Sequence, residues 1–413
     1  MILYLKIKNR LKLEISSLFD RIIFLLGLTS LSFEFKENSL NIIFLGENMP
    51  PRIARMLKFL KRNYNVNAIL VCQADGYNKK YSNDTFDAVL LFRNEWHLRA
   101  IMSNIKGADL IHAFGPKSFY PNVARQYRSD LPFVYDMQDV LAIYFGLGVD
   151  ISWYQKEFSH ERACLSLSDG LVSHGLEPIP AYKVYNIKEK VKKLFFPLYC
   201  DDDFFQSNNK SIENGDIHLV YAGEIQNATR DKSQFGNIQF HELIDQLSSQ
   251  KIHFHVYPAP STHPSLYSEY KSIALSNPYF HLETSVPQTE LAKELSKYHF
   301  GLIPFFKTST SQSEDKYRYS TALKLFNFVE AGIPVICSED ITFQAWIVKR
   351  NKAGFTISKN QVLELRNIIE QYDYRDLANN LIKNRERLSL KKNIFKLHNF
   401  YNQVIKGKKT KKV

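Results

Sequence analysis

The sequence predicts an α/β protein built from two tandem, doubly wound parallel sheets, and three observations predict it. The chain has 413 residues, more than a single hydrophobic core usually organises. From Asn41 onward, short apolar runs alternate with longer stretches of helical period, the pattern of parallel strands joined by crossover helices. The alternation breaks between Phe195 and Asp216 and restarts at Ile217. Sheets of this kind bind ligands at the carboxyl ends of their strands, so two Rossmann-like domains in tandem are expected to face each other across a cleft.

Taken in order, residues 1–38 form an N-terminal extension. Lys6, Lys8, Arg10 and Lys12 precede the apolar run Ile22-Ile23-Phe24-Leu25-Leu26-Gly27-Leu28. A bilayer span needs about 20 apolar residues, so this run suits a helix lying in an anionic membrane interface or packed on a domain. Residues 39–205 form the first domain. Its clearest unit is the strand Asn41-Ile42-Ile43-Phe44-Leu45, a loop at Gly46 and Glu47, and a helix opened by Pro50-Pro51, with Ile53, Met56, Leu57 and Leu60 on one face. Further strands fit Ala68–Cys72, Ala88–Phe92, Leu110–Ala113, Phe133–Asp136 and Gly170–Ser173. The second domain, 206–390, has strands at Ile217–Ala222, Ile252–Val256, Phe300–Pro304 and Pro334–Cys337. Residues 391–413 supply a final helix, Asn393–Val404, and a basic tail.

Composition excludes several classes. Apolar residues are 45% and charged residues 23%, which rules out a disordered, collagen-like or disulfide-scaffold chain. Cys72, Cys164, Cys200 and Cys337 form no CxxC, so buried thiols are expected and a structural metal site is not. His253 and His255 share a strand face without a third ligand at useful spacing, and Asp201-Asp202-Asp203 reads as a linker and helix cap. The net charge is +12, but residues 391–413 hold eight lysines and no acid, leaving only +4 elsewhere. Nucleic acid is therefore not an expected partner, whereas an anionic membrane surface is a candidate one. No cleavable signal peptide is evident, so the expected location is cytoplasmic, with peripheral attachment to the inner face of the plasma membrane as a refinement. GxxxxGK[ST], HExxH and GxSxG are all missing, which removes P-loop, zinc-protease and serine-hydrolase readings.

The most informative segment runs from Lys324 to Ile336. Leu325, Phe326 and Val329 give a helix an apolar face, Gly332 stops it, and Pro334 restarts the chain as a strand. Lys324 and Asn327, three apart, share a polar face. The segment resembles the donor-binding helix of GT-B glycosyltransferases, especially glycosyltransferase family 4 and bacterial polysaccharide enzymes, whose pattern is roughly K-x-x-E-Y-x-x-x-G-x-P-V. Lys324, Phe328, Gly332, Pro334 and Val335 match. Asn327 departs, standing where the family has a glutamate that grips the ribose, and Glu330 is the nearest carboxylate that could substitute.

The resemblance extends over most of residues 40–405. Val220-Tyr221-Ala222-Gly223-Glu224 resembles the strand and glycine turn that approach the donor diphosphate, with Arg230 and Lys232 as the nearest basic residues. Gly301-Leu302-Ile303-Pro304-Phe305 is similar to the strand leading toward the donor helix, and Asp109–Ala113 and Val134–Asp139 to strand ends of the acceptor domain. What the resemblance implies is transfer of a sugar from a nucleotide-sugar donor to a glycan or lipid-linked acceptor, in surface polysaccharide or glycoconjugate synthesis. It implies a donor site of Gly223, Glu224, Arg230, Lys232, Pro304, Lys324, Asn327, Glu330 and Gly332. Lys324, His112 and Asp139 would be catalytic. Gly46, Glu47 and Arg52 sit where an acceptor-domain loop would meet the acceptor. A cation and backbone donors can stabilise a departing diphosphate, so a metal-independent enzyme without cofactor is expected, and the resemblance implies that transfer is retaining. The rival expectation is a non-catalytic sugar-nucleotide-binding or scaffold protein of the same fold.

Overall fold

The computed structural model describes residues 2–26, 32–48, 50–77, 85–150, 152–188, 191–208, 212, 215–307 and 314–410. The chain divides into two compact units. The first comprises residues 1–174, 178–196 and 394–413, and the second comprises 175–177 and 197–393.

The first unit holds a parallel sheet of seven strands: β1 (Leu40–Gly46), β2 (Val66–Gln73), β3 (Ala88–Phe92), β4 (Leu110–Gly115), β5 (Phe133–Met137), β6 (Gly170–Ser173) and β7 (Lys192–Phe195). Their order is β3-β2-β1-β4-β5-β6-β7, with every neighbouring pair parallel. The order reverses direction at β1, which makes the β1/β4 junction the switch point of a doubly wound sheet. Central strands are apolar on both faces because helices cover both. Ile43, Leu45, Ile111 and Ala113 belong to one core, while Ile42 and Phe44 are fully buried on the other side. Helix α1 (Pro51–Asn63) buries Ile53, Met56, Leu57 and Leu60, the four positions that its sequence period marks.

The second unit repeats the plan with six strands: β8 (Ile217–Gly223), β9 (Ile252–Pro258), β10 (Phe280–Leu282), β11 (Phe300–Ile303), β12 (Val335–Ser338) and β13 (Gly354–Ile357). The order is β10-β9-β8-β11-β12-β13, again all parallel and again reversing at the first strand. Within the two large sheets, three described strands have no counterpart in the sequence reading, β7, β10 and β13, and neither has the small parallel pair Phe33–Glu34 and Ile105–Lys106. Each of the three has three or four residues, and β7 is Lys192-Lys193-Leu194-Phe195, exposed at every position but Leu194. All four cysteines are free and buried. Asp201 caps the short turn Asp202–Phe204, accepting the Asp203 N–H at 3.1 Å, and Asp202 accepts from the Lys391 N–H at 2.9 Å. The C-terminal helix spans Leu390–Thr410, so the basic segment through Lys409 is helical and Lys408 pairs with Asp169 at 3.0 Å.

The histidines of the second unit form a cross-strand cluster. Register places His253 beside His218 and His281 beside His255, and the rings of each pair stack with centroids 4.4 and 4.2 Å apart. His218 Nδ1 lies 2.9 Å from His255 Nε2, His253 Nδ1 lies 3.0 Å from His281 Nε2, and His255 Nδ1 lies 2.8 Å from Glu283. Burial, reinforced by the neighbouring imidazoles, pushes His218 and His281 down to about 4 and holds His253 below its ordinary value. The folded chain keeps these rings neutral where an unfolded chain, with histidines near 6.5, takes up protons. Their contribution to stability is therefore present above about pH 6.5 and is lost as pH falls toward 4. Unfolding midpoints measured by circular dichroism should fall between about pH 7 and 5, and fall less in a His218→Gln, His281→Gln variant. An unchanged pH slope in that variant contradicts the assignment.

Candidate functional site

In the second unit, β8 ends at Gly223 and helix α2 (Leu323–Ala331) begins beside it. Gly223 has φ +153°, and a Cβ placed there would lie 2.2 Å from Lys324 Cε and 2.6 Å from Nζ. The lysine side chain thus occupies the volume that any other residue at 223 would fill. Its Nζ lies 5.1 Å from the ring centres of both Tyr221 and Phe305. Neither an ion pair nor a hydrogen bond joins the Lys324 side chain to another described residue. Burial pushes the ammonium down to about 8, against the opposing pull of the Glu224 carboxylate.

Further polar groups stand at or next to the start of α2 and the Gly223 turn. The Leu323 and Lys324 N–H groups at the start of α2 have no acceptor within the helix and carry the positive end of its dipole, while the Leu325 N–H bonds to the Ala322 carbonyl at 3.2 Å. Thr321 Oγ1, three residues before Lys324, is buried without a hydrogen-bond partner. The Tyr221 hydroxyl donates to the Glu224 carbonyl at 2.8 Å and fixes the turn after Gly223. An ammonium flanked by aromatic faces, a helix start, a glycine turn and an idle hydroxyl together suit an anion with several oxygens. The sequence singled out Lys324 and Gly223 and set Phe305 at the end of the strand leading toward the donor helix; it gave no signal for Thr321, whose place depends on how the loop after β11 returns to α2.

Other expected donor residues lie elsewhere. Asn327 is 5% exposed, and its Oδ1 accepts from Gln288 of helix α3, the Gln288–Leu295 helix that precedes α2 in the chain, at 3.2 Å. Glu330 is 1% exposed and accepts the Asp201 N–H at 2.8 Å, so it secures the linker into the second unit and is no substitute for a ribose-binding glutamate. Gly332, at φ +71°, is the left-handed stop of α2, where its N–H bonds back to Phe328 and Val329. The exposed Glu224 carboxylate accepts from Gln226 at 2.9 Å. Arg230 lies over the Phe235 ring at 4.7 Å. Lys232 and Pro304 line a cavity of about 300 Å³ with Asn237, His241, Phe306 and Lys359, and neither Gly223 nor Lys324 borders it.

Within the first unit, two expected functional residues are structural. The Arg52 guanidinium reaches Asp136 at 3.1 Å and the Phe196 carbonyl at 2.9 Å, and is 4% exposed. His112 is fully buried, with Nε2 3.3 Å from Asp136 and Nδ1 2.7 Å from the Tyr401 hydroxyl. Burial alone would raise the Asp136 carboxyl, but Arg52 and His112 outweigh it and hold it below the usual carboxylate range. This network locks the C-terminal helix onto the sheet, which takes His112 and Arg52 out of reach of an acceptor. Gly46 leaves room for the Phe114 ring, whose nearest carbon would lie 2.3 Å from a Cβ. Glu47 pairs with Lys117 at 3.1 Å, and Asp139 follows β5 half-buried, both at the carboxyl edge of the first sheet. The sequence offered no hint of Glu161. This buried carboxylate accepts from Leu141 and Ala142 N–H groups and from the Tyr185 hydroxyl, and burial raises it to about 7.

Comparison with known proteins bears on the fold. Residues 235–396 match the family model described as the glucosyltransferase 3-like C-terminal domain, less than half of the chain. No curated protein sequence matches. Among solved structures, the sucrose-phosphate synthase of Thermosynechococcus elongatus is similar at TM-score 0.65 and 12% identity, over 89% of this chain and 100% of that one. A glycosyltransferase of Rickettsia africae is similar at TM-score 0.60 and 12% identity, over 89% and 99%. The UDP-GlcNAc 2-epimerase of Neisseria meningitidis, bound to UDP-GlcNAc, is similar at TM-score 0.52 and 12% identity, over 88% and 99%. These likenesses, with the two parallel sheets, define the class: a GT-B, glycosyltransferase-like α/β fold.

A Gly223→Ala substitution should displace Lys324 and strain the left-handed turn, lowering stability by about 1–3 kcal/mol in chemical denaturation. A variant as stable as wild type contradicts the close approach.

Proposed function

We propose that the chain transfers a sugar from a nucleotide-sugar donor to a glycan or lipid-linked acceptor in surface polysaccharide or glycoconjugate synthesis. The observation that carries this reading is the Lys324 ammonium, desolvated over Gly223 at the start of α2 with no carboxylate paired to it. When the bond between the anomeric carbon and the diphosphate breaks, negative charge grows on the departing diphosphate. Lys324, the α2 N–H groups and Thr321 would meet that charge without reorganising. Because the protein itself supplies the charge, we propose that transfer does not depend on a metal. The glucosyltransferase 3-like match and the fold support transfer as the reaction class. The UDP-GlcNAc held by the similar epimerase supports a nucleotide sugar as the ligand class.

Retention at the anomeric carbon is part of the proposal. His112 is spent on Asp136 and Tyr401, so of the two first-unit residues expected to be catalytic only Asp139, which would orient the sugar in a retaining transfer, stands at the sheet edge. A second reading, a sugar-nucleotide-binding protein that does not transfer, is favoured by Asn327, which replaces the expected carboxylate and turns toward Gln288.

Thermal unfolding against UDP, GDP, CMP and ADP and their sugars separates these readings. A ligand at a hundred times its dissociation constant stabilises by about 2.7 kcal/mol. The expected result is a shift with one nucleotide series in wild type and none in Lys324→Ala, accompanied by a loss of turnover of about 10²–10³-fold. Affinity should also fall as pH rises past about 8, because only the charged ammonium attracts the diphosphate. Nucleotide binding without transfer to any acceptor favours the second reading, and an unaltered Lys324→Ala variant removes both.

A further inference from the structure

The N-terminal helix of the first unit, Ile2–Leu25, presents an outward face that the fold leaves bare. Its inner face is tied down. Asp20 is 3% exposed, pairs with Arg93 at 2.5 Å and accepts from Asn94 at 2.7 Å, while Phe24 packs against Trp96 and Tyr127 with ring centres 5.9 and 5.7 Å apart. On the opposite side Ile15, Leu18, Phe19 and Ile22, with Leu25 and Leu26 at its end, are between 45% and 66% exposed. Their spacing, with steps of three and four residues, sets them in one stripe, about half a turn away from Asp20. Rotational freedom does not explain this exposure, since the Asp20 and Phe24 contacts fix which side faces the domain.

Charge identifies what covers the stripe. The same helix carries Lys6, Lys8, Arg10 and Lys12 in its first half, and Arg21 further on, against Glu14 and the internally paired Asp20. An apolar stripe on a helix rich in basic residues matches the boundary between acyl chains and anionic headgroups. A second copy of the chain would bring these same cations together. None of the described helices is long and apolar enough to cross a membrane, so the attachment lies in the interface plane. The basic C-terminal helix packs through Tyr401 onto His112, on the sheet face opposite the one that carries the N-terminal helix, so it is not part of this surface. We propose that the Ile15–Leu26 stripe docks the first unit on an anionic lipid surface.

The test is flotation of the full chain with vesicles of phosphatidylcholine alone or mixed equally with phosphatidylglycerol. Wild type should float with the mixed vesicles and far less with the neutral ones. A Leu18→Gln, Phe19→Gln, Ile22→Gln variant should lose binding about tenfold or more while keeping its circular dichroism and unfolding midpoint. Leu275→Gln, at the 91% exposed Leu275 of the second unit, should bind as wild type does. Binding that survives the triple substitution overturns the proposal. Light scattering covers the rival occupant: a dimeric wild type that ignores both vesicles and becomes monomeric in the triple variant makes the stripe a self-interface and also overturns it. These outcomes are independent of whether a nucleotide sugar binds.

Discussion

An ammonium group held out of water by aromatic faces instead of a carboxylate is the constraint around which the second unit is arranged. Lys324 can lie there because residue 223 has no side chain, because Tyr221 and Phe305 bracket the ammonium, and because α2 starts at that spot. Leaving a half-buried, desolvated cation unpaired costs stability, and proteins keep such costs mainly where a ligand relieves them. The rest of the unit serves the arrangement. Parallel strands bring the ends of β8 and β11 to one edge, and the Gly332 stop fixes the length of α2.

The first unit solves a related problem in the opposite way. At its centre a buried charge is partnered: Asp136 meets Arg52 and His112, and His112 in turn meets Tyr401. Contacts between residues 289 positions apart close the unit on itself, since Tyr401 belongs to the C-terminal helix and His112 to β4. Similar residue types thus carry opposite meanings. A cation with its counter-ion in a sealed core holds the fold together, while a cation without one, beside a glycine turn, is available to a ligand.

The architecture was largely legible in the sequence. Strands with buried residues on both faces, such as Ile42–Leu45 and Ile69–Cys72, read as continuous apolar runs, and the break before Ile217 marked the second sheet. The missed strands were short edge or near-edge segments with polar content, where alternation has too few residues to show. Site reading picked out Gly223 and Lys324, where local chain geometry is diagnostic and which the structure brings into contact. It failed at Glu330, Arg52 and His112, because a charged residue near a strand end or helix looks the same in sequence whether its partner is a ligand or a distant backbone group. Only the fold reveals that Asp201, Asp136 and Tyr401 have taken those places.

The most direct test of the central claim is a crystal structure of the full chain with the nucleoside diphosphate that stabilises it. The account predicts the diphosphate oxygens within hydrogen-bonding distance of Lys324 Nζ and the first N–H groups of α2, close over Gly223. A diphosphate bound elsewhere, such as in the cavity beside Lys232 and Lys359, with Lys324 still resting between Tyr221 and Phe305, would contradict it.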